Sequence, residues 1–209
     1  MIGIYGGTFD PIHYGHLRTA FEIREKLALE ALRFVPCKKP VHRGEPSVSA
    51  KKRLELLQLA VADAPELTID TCELERSGES FMVDTLRHIK EEVKPGKPLV
   101  LIVGMDAFLG LSGWSRWIEL FELAHVAVMM RPGWQCDVPG ELAEQIKERV
   151  AGEFGELSFS EAGKVCFLEV TQLEISATEI RRMLQLGSDP RYLLPDEVRE
   201  MIIKENLYR

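Results

Sequence analysis

The feature that most constrains the fold of this chain is a regular alternation of short apolar runs with longer segments of helical periodicity. The apolar runs predict strands at Ile2–Tyr5, Leu32–Val35, Leu67–Ile69, Leu99–Val103, His125–Met130 and Val165–Val170. Between them, apolar residues recur at helical spacing over Leu17–Leu29, Lys52–Ala62, Val83–Val93, Leu142–Phe154 and Ile180–Leu186. Strands separated by helices indicate βαβ units, so the sequence predicts an α/β fold with a doubly wound, mostly parallel sheet.

Cap residues refine the helix boundaries. Ser49 and Ser176 are predicted N-caps, and a final helix is expected to begin at Pro195, a favourable first-turn residue. The sequence contains neither an internal repeat nor a long linker. We therefore expect residues 1–209 to form a single domain, in which 171–209 make a C-terminal helical subregion.

Composition excludes several classes of function. The formal net charge of −7 argues against broad nucleic-acid binding, which needs a basic surface, although it leaves small anionic ligands open. No apolar run is long enough to span a membrane. The four cysteines are widely spaced and form no Cys-x-x-Cys pair, so free thiols and a cytoplasmic location are expected.

The segment after the first predicted strand reads Gly-Gly-Thr-Phe-Asp-Pro-Ile-His-Tyr-Gly-His, from Gly6 to His16. Glycines let the backbone turn tightly and bring amide N–H groups against a ligand. The helix that starts near Gly15 adds a positive dipole end and open N–H groups. His13 and His16 can then face one phosphate group, to which an imidazole N–H donates a hydrogen bond. The alternative is a glycine-rich corner with two surface histidines, because the pattern is neither a phosphate loop nor a dinucleotide fingerprint.

The His-x-Gly-His spacing after Phe-Asp-Pro resembles the signature of the nucleotidyltransferase superfamily, (H/T)-x-G-H on a dinucleotide-binding-like fold. Within it, the segment is similar to the opening of the bacterial nicotinate-nucleotide adenylyltransferases. The resemblance implies that His13 and His16 hold the triphosphate of ATP and stabilise charge in the transition state. It also implies that the preceding loop binds ATP, with backbone amides near the α-phosphate, through Gly6, Gly7, Thr8 and Phe9.

A second segment, Ile-Ser-Ala-Thr-Glu-Ile-Arg, runs from Ile175 to Arg181. Ser176 and Thr178 carry hydroxyl groups at a predicted helix start, and Arg181 lies one turn further along. A capping box between Ser176 and Glu179 would explain part of this pattern without a ligand. The pattern is also similar to the superfamily's second signature, which implies that this segment binds the β- and γ-phosphates and that Arg181 takes part in catalysis.

The apolar run Leu99–Val103 ends in Gly104-Met105-Asp106, at the predicted carboxyl edge of the sheet where doubly wound folds bind ligands. Asp106 could simply cap the next helix. The family has a matching I-(I/V)-G-x-D element between its two nucleotides. The resemblance therefore implies that Gly104 approaches the adenosine and that Asp106 contacts a ribose hydroxyl or a neighbouring loop.

The acceptor site is expected around Trp114. This tryptophan follows a Ser-Gly loop and can stack on an electron-poor pyridinium ring, whereas Trp117 is expected in the core. The resemblance implies that main-chain amides of Met82 and Ser115 bind the nicotinate carboxylate. Ser-Phe-Met stands here in place of the family's Ser-Tyr-Thr. This difference has no effect if the contact is made by the backbone. If the hydroxyl groups were needed, the preference for the acid over the amide mononucleotide would be weaker.

Other positions complete the expected acceptor site. Lys-Pro-Val-His-Arg is similar to the family's P-P-H-(K/R) loop with valine in place of the second proline, and Arg-Pro-Gly matches a segment that closes over the same site. A surface ion pair is the alternative for the arginine of Arg-Pro-Gly. His88 and His125 match no motif and are expected to be structural. The remaining acceptor-site assignments are Lys39, His42, Arg43, Thr85 and Arg131.

The resemblance covers essentially the whole chain and implies adenylyl transfer from ATP to nicotinate mononucleotide. The products are nicotinate adenine dinucleotide and pyrophosphate, a step of NAD biosynthesis. Mg²⁺ is expected on the ATP phosphates, since the sequence shows no carboxylate cluster with ligand spacing. No nucleic-acid or membrane partner is expected, and homo-oligomerisation is left open. Two alternatives remain: another adenylyl- or cytidylyltransferase, such as a phosphopantetheine adenylyltransferase, and a catalytically silent nucleotide-sensing module.

Overall fold

The computed structural model describes residues 1–40, 44–131, 133, 138–171 and 173–209. Its strands are β1 Ile2–Gly7, β2 Ala31–Pro36, β3 Leu67–Ile69, β4 Leu99–Gly104, β5 His125–Met130 and β6 Val165–Glu169. They form one sheet in the order β3-β2-β1-β4-β5-β6, and every neighbouring pair is parallel. The predicted doubly wound, parallel α/β fold is confirmed.

The helices lie between the strands and after the last one. In chain order they are α1 Tyr14–Lys26, α2 Ala50–Ala60, α3 Cys72–Glu75, α4 Met82–Glu92, α5 Met105–Leu109, α6 Leu120–Leu123, α7 Gly140–Ile146, α8 Ala177–Gln185 and α9 Asp196–Lys204. Short 3₁₀ turns occur at Leu111–Gly113, Trp117–Glu119 and Phe154–Phe159. Within the predicted C-terminal subregion, 171–209, the described residues contain α8 and α9.

Both faces of the sheet are covered, which explains why its strands are continuously apolar. Successive residues of β4 illustrate this: Val100 and Ile102 pack in the core beneath α1, α2, α8 and α9, while Leu101 and Val103 pack on the opposite side. Because side chains alternate across a strand, each strand contributes to both cores. The two cores fix the strand ends, and those ends position the loops described below.

The predicted helix starts are confirmed where a serine supplies the cap. Ser49 Oγ accepts the amide of Lys52 at 3.2 Å, and Ser176 Oγ accepts the amide of Glu179 at 3.1 Å. Each bond satisfies one of the N–H groups that a helix leaves open in its first turn. The last helix has Pro195 as its N-cap and begins at Asp196, one residue from the expected start.

The predicted helix Leu142–Phe154 is wrong in its second half. The α7 helix ends at Ile146, and the backbone then pairs with the outer edge of β6: Val165 N–H donates to Arg149 O at 2.9 Å, and Ala151 N–H donates to Val165 O at 2.8 Å. An edge strand has unpaired N–H and C=O groups, so this pairing outweighs the helical periodicity. Helical spacing alone could not reveal that competition.

Two expectations drawn from composition can be compared with the structure. Cys37, Cys72 and Cys166 are free thiols, as predicted, and Cys136 lies outside the described residues. Among the described residues, the helices are too short or too polar to cross a bilayer.

Candidate active site

A cleft opens at the carboxyl edge of the sheet, between the ends of β1 and β4, where the strand order reverses. Its volume is about 1330 Å³. Loops that leave neighbouring parallel strands in opposite directions separate at this point, which is where doubly wound folds bind ligands. The residues assigned to ATP by resemblance all line this cleft: Gly6, Gly7, Thr8, Phe9, His13, His16, Gly104, Asp106, Ile175, Ser176, Thr178 and Arg181.

The sequence predicted that Gly6 and Gly7 make a tight turn, and the structure gives them a different role. Gly6 and Gly7 lie within β1, and neither has a positive φ; the left-handed residue is Phe9, at φ 48°. A Cβ on Gly6 would lie 2.5 Å from Met82 Cε, and one on Gly7 would lie 2.7 Å from the Phe9 ring. Gly7 therefore allows the Phe9 ring to pack against the strand, the short contact at Gly6 involves only the flexible end of Met82, and the turn itself is made at Phe9.

His13 and His16 stand side by side at the floor of the cleft. Their rings stack with centroids 3.8 Å apart and an interplanar angle of 30°. His13 is the N-cap residue of α1, and its carbonyl accepts the amides of His16 and Leu17 at 3.0 and 3.2 Å. The helix start thus sets the separation of the two imidazoles. Gly15 is required between them, because a Cβ there would lie 2.9 Å from His13 Nδ1.

Buried aromatic side chains hold His16 in place. Phe9 meets His16 edge-on, with ring centroids 5.3 Å apart, and packs in the same way against Phe34 at 5.4 Å. Tyr5 stacks on Phe34 at 5.5 Å and contacts His16 at 6.3 Å. Edge-on and offset contacts of this kind are favourable and directional. The orientation of His16 is therefore set by core residues of β1 and β2.

His13 is electrically neutral in this environment. The side chain is only 5% exposed, and burial lowers the pKa of His13 from 6.5 to about 4. Its Nδ1 is buried without a hydrogen-bond partner among the described residues. A neutral imidazole can donate one hydrogen bond, so His13 offers a directed donor at neutral pH.

The two predicted phosphate segments meet in space. Arg181 Nη1 donates to the carbonyl of Asp10 at 2.6 Å and lies 3.9 Å from the Asp10 carboxylate, and Arg181 Nη2 donates to Thr178 Oγ1 at 3.3 Å. Asp10 is buried, and its carboxylate accepts the amide of Ser47 at 2.7 Å. One charge-assisted hydrogen bond thus joins Asp10 and Arg181, which are 171 positions apart in the sequence.

Only half of the expected capping box forms at the start of α8. Ser176 caps the helix, but the Glu179 carboxylate pairs with Arg182 at 2.7 and 2.9 Å. Ser176 and Thr178 are exposed on the cleft side. The helix start therefore combines a structural cap with hydroxyl groups that remain accessible to a ligand.

The end of β4 places Asp106 in the first turn of a helix. Gly104 is the N-cap of α5 and Asp106 is its second residue, so the alternative of Asp106 as the N-cap is wrong. Its side chain is exposed and lines the cleft. A carboxylate in a first helical turn is favoured by the helix dipole, and here it is also accessible to a ligand.

The expected acceptor site lies along the same cleft, beside β4. Met82, Trp114 and Ser115 line it, and Met82 is the first residue of α4, where the amide N–H has no acceptor within the helix. Asp84 accepts both terminal nitrogens of Arg116 at 2.8 and 2.7 Å. This ion pair joins the first turn of α4 to the loop that carries Ser115, so the two predicted amides belong to connected elements. Trp117 is buried in the core, as predicted.

Thr85 and Lys39, which were also predicted for the acceptor site, do not line the cleft. Thr85 is fully buried and donates to Glu73 Oε1 at 2.7 Å, so the assignment of Thr85 as a direct contact is corrected to a position beneath the cleft wall. Lys39 is exposed and does not line the cleft, although Pro40 does. His42 and Arg43 lie outside the described residues.

The position of Arg131 is compatible with both interpretations of this residue, a surface ion pair and a contact with the acceptor. It is exposed, lies 4.0 Å from Glu174 and lines the cleft. The two histidines expected to be structural lie elsewhere. His88 pairs with Glu92 on the surface of α4, while His125 is buried, accepts the amide of Lys164 at Nδ1 and contacts Ser160 O at 3.0 Å through Nε2.

Three residues that support the cleft were missed by sequence reasoning: Asp10, Arg53 and Glu73. Arg53 is fully buried, yet it stands in a Lys-Lys-Arg run typical of an exposed helix face. The available signal was its spacing, because Arg53 precedes Leu56 and Leu57 by three and four residues and so shares their face. Burial raises the pKa of Glu73, which lines the cleft near Ser80 and accepts a hydrogen bond from Thr85.

The described part of the chain groups no three His, Cys, Asp or Glu side chains in positions that could hold a metal ion. Protein-bound divalent cations usually need several carboxylate or imidazole ligands.

Comparison with known proteins gives a consistent result. The sequence profile of the Cytidylyltransferase-like family matches residues 4–183. A protein of Methylococcus capsulatus named "Probable nicotinate-nucleotide adenylyltransferase" is 51% identical over 209 residues, covering 100% of this chain and 99% of its own length. A protein of the same name from Halorhodospira halophila is 50% identical over 207 residues, covering 99% and 94%. The structure of Plasmodium falciparum nicotinic acid mononucleotide adenylyltransferase complexed with NaAD superposes with a TM-score of 0.72 at 21% identity, covering 99% of this chain and 96% of that one, a likeness of fold.

Proposed function

The chain belongs to the nicotinate-nucleotide adenylyltransferases of the Cytidylyltransferase-like family, and from this premise we propose that it transfers the adenylyl group of ATP to nicotinate mononucleotide. The products are nicotinate adenine dinucleotide and pyrophosphate, which places the reaction in NAD biosynthesis. The observation that supports the proposal is the contact of Arg181 with Asp10, because it joins the two segments that we predict to bind phosphate.

In the proposed reaction, the phosphate oxygen of the acceptor attacks the α-phosphorus of ATP in line, and pyrophosphate leaves. The acceptor phosphate is ionised at neutral pH, so the reaction needs no general base. The amides around Thr8 and Phe9 would bind the α-phosphate, and the start of α8 with Arg181 would bind the β- and γ-phosphates. The side chains then contribute by orienting the two substrates and by stabilising the charge that develops.

The stacked histidines have complementary roles in this proposal. His13 is neutral at pH 7, so it would act as a hydrogen-bond donor rather than as a positive charge. A donor held in a water-poor site stabilises developing negative charge without reorganising during the reaction. Arg181 would instead supply the positive charge that faces the leaving pyrophosphate, because its planar guanidinium can donate two hydrogen bonds to phosphate oxygens. Mg²⁺, bound mainly through the ATP phosphates, would neutralise further charge when ATP enters.

The acceptor would lie between Trp114 and the start of α4. The indole would stack on the pyridinium ring, and the amides of Met82 and Ser115 would bind the nicotinate carboxylate. A backbone contact does not depend on the side chain at position 82, so methionine is compatible with acid recognition. We propose that Lys39, His42, Arg43 and Arg131 supply positive charge for the acceptor phosphate, with Thr85 supporting the wall behind it.

The experiment that tests the function compares acceptors side by side. Purified protein is mixed with ATP and Mg²⁺, and with nicotinate mononucleotide, nicotinamide mononucleotide or phosphopantetheine. Pyrophosphate release and dinucleotide formation are both measured. We expect the acid mononucleotide to give the highest kcat/KM. Faster turnover of phosphopantetheine would contradict the assignment of the acceptor, and ATP binding without turnover of any acceptor would indicate a sensing module.

His16→Ala provides the active-site control for that assay. Losing one donor to developing charge is expected to lower kcat by about 10²-fold. His88→Ala is the matched control, because His88 lies on the exposed face of α4, where it pairs with Glu92. Normal turnover by His16→Ala would show that the transferred phosphate binds elsewhere.

A further inference from the structure

Arg53, on α2, is a fully buried cation with an unusual set of partners. Its Nη1 donates to the carbonyl of Thr8 at 2.6 Å, and its Nη2 donates to the carbonyls of Cys37 and Lys38 at 2.7 and 3.2 Å. Among the described residues, no carboxylate lies within ion-pair distance of Arg53. Its charge is therefore balanced mainly by backbone carbonyls, and those carbonyls belong to two separate loops.

The two loops leave adjacent strands at the same edge of the sheet. Thr8 follows β1, whereas Cys37 and Lys38 follow β2, and Gly7 is paired with Pro36 at the end of the β1–β2 ladder. Beyond the ladder, Cys37 N–H donates to Gly7 O at 2.9 Å, and the Cys37 thiol donates to Thr8 Oγ1 at 3.7 Å. Thr8 and Cys37 both line the cleft. Arg53 thus spans two loops at the point where the strand pairing ends.

The hydrogen bonds of Arg53 fix whole peptide planes and not only the carbonyl groups that accept them. A peptide unit is planar, so a hydrogen bond that fixes the Thr8 carbonyl also fixes the direction of the Phe9 N–H. Phe9 holds a left-handed conformation, at φ 48°, that a non-glycine residue adopts only with support from its surroundings. In the same way, the contacts to Cys37 and Lys38 fix the two peptide planes with which the second loop begins.

We propose that Arg53 is a positioning residue for adenylyl transfer, which holds the ATP loop and the loop after β2 at one fixed separation. This inference rests on the function proposed above. An arginine suits the task because its planar fork can donate to both loops at once, which the single ammonium of lysine cannot do. Stability alone does not require a buried cation, since apolar residues of similar volume often stabilise a core as well or better.

The consequence for catalysis is a loss of rate with little loss of binding. In the proposed function each substrate also has contacts that do not involve these two loops: the start of α8 for ATP, and Trp114 with the start of α4 for the acceptor. In-line transfer, in contrast, depends on the distance between the two bound substrates. A misplacement of about 1 Å between reacting groups can lower a rate by about 10²-fold. Without Arg53, we expect kcat to fall by about that factor while the affinity for ATP alone and for the acceptor alone changes by less than about threefold.

The test uses Arg53→Lys and Arg53→Met in the full-length protein. Arg199→Met is the matched control. Arg199 lies on α9, outside the cleft, and forms a bidentate pair with Asp189 at 2.5 and 2.6 Å. Melting temperature, equilibrium binding of each substrate alone, kcat and both KM values are measured for all four proteins, at a temperature where each is folded. The expected result is a large fall in kcat for both Arg53 variants and a normal kcat for Arg199→Met.

Three results would overturn the inference. Arg53→Lys with a kcat within twofold of the wild type would mean that charge, and not the fork, is what matters. Equal losses in kcat and in single-substrate affinity, or an equal loss of kcat in Arg199→Met, would indicate a general effect on stability. If Arg53→Met does not fold, Arg53→Lys alone decides. The activity of the wild-type protein tests the proposed function. The ratio of the variant's kcat to the wild-type kcat, measured with whichever acceptor the wild type uses, tests the role of Arg53.

Discussion

At the scale of single residues, burial decides what each functional side chain can do. His13 lines the floor of the cleft and Arg53 is buried outside the cleft lining, and the chemistry of both follows from desolvation. Burial lowers the pKa of His13 to about 4 and so keeps the imidazole neutral, whereas an arginine remains charged and must find acceptors. On the surface, an imidazole would not be neutralised by burial, and water would serve as acceptor for a guanidinium.

The buried histidine predicts a pH dependence of stability. The unfolded chain takes up a proton on His13 near pH 6.5, while the folded chain does so only near pH 4. The unfolded state therefore binds more protons between these values, and stability is lost as the pH falls through this window, by about 3 kcal/mol at most. Urea unfolding at pH 7 and pH 4.5 measures the loss, and His13→Asn should lose less. Equal losses in the two proteins would show that His13 is not the titrating group.

Trp114 predicts an effect confined to one substrate. Trp114→Ala should weaken binding of nicotinate mononucleotide by about 1–3 kcal/mol, because the stacking surface is removed from a half-buried site. Trp114→Phe should retain part of the affinity, and the KM for ATP should remain unchanged in both variants. Titration of each substrate separately distinguishes these effects. Unaltered acceptor affinity in Trp114→Ala would place the pyridine ring elsewhere in the cleft.

At the scale of elements, helix starts stabilise the fold, and one of them also faces the cleft. The α2 and α8 helices each begin with a serine whose hydroxyl accepts the amide three residues later. Only the start of α8 lines the cleft, so the two otherwise similar caps differ in what they face.

This difference gives a matched pair of variants. Ser49→Ala and Ser176→Ala should each lower the free energy of unfolding by about 1 kcal/mol, the usual contribution of an N-cap. Ser176→Ala should in addition raise the KM for ATP, whereas Ser49→Ala should not. Chemical denaturation and ATP titration of both variants test this. An equal KM in the two variants would exclude a role for the Ser176 hydroxyl in phosphate binding.

At the scale of the whole molecule, the C-terminal residues meet the loop that follows β1. Tyr208 is 7% exposed and packs in the core shared by α1, α2, α8 and α9. Burial and the nearby carboxylate of Asp10 both raise the pKa of Tyr208. The amide of Tyr14, at the start of α1, donates to Leu193 O at 3.0 Å. The C-terminal residues therefore form part of the support for the first loop.

A tyrosine pair tests the contribution of the chain end. Tyr208→Ala should lower the free energy of unfolding by about 3 kcal/mol, as expected for removing a large buried ring. Tyr192→Ala should change it by less than about 0.5 kcal/mol, because Tyr192 is 79% exposed. Denaturant unfolding of both proteins measures the contrast. Similar stabilities would mean that the terminal residues contribute little to the core.

The amino-acid sequence alone was enough to predict the strands and the parallel sheet, and to single out two candidate phosphate-binding segments, because each of these depends on local pattern. Short apolar runs, helical spacing and the sequence from Gly6 to His16 are all properties of neighbouring residues. The family resemblance added the assignment of each segment to one of the two nucleotides. The predicted extension of α7 to Phe154 failed, since the backbone beyond Ile146 pairs with a strand that lies later in the chain.

Only the tertiary structure decided which residues are buried and which distant residues meet. Arg53 is placed in the core by the packing of α2, and Thr85 is placed beneath the cleft wall by its bond to Glu73. The contact of Arg181 with Asp10 spans nearly the whole chain, and the neutral state of His13 follows from desolvation. These properties arise from the surroundings that the fold assembles, and local sequence carries no direct record of them.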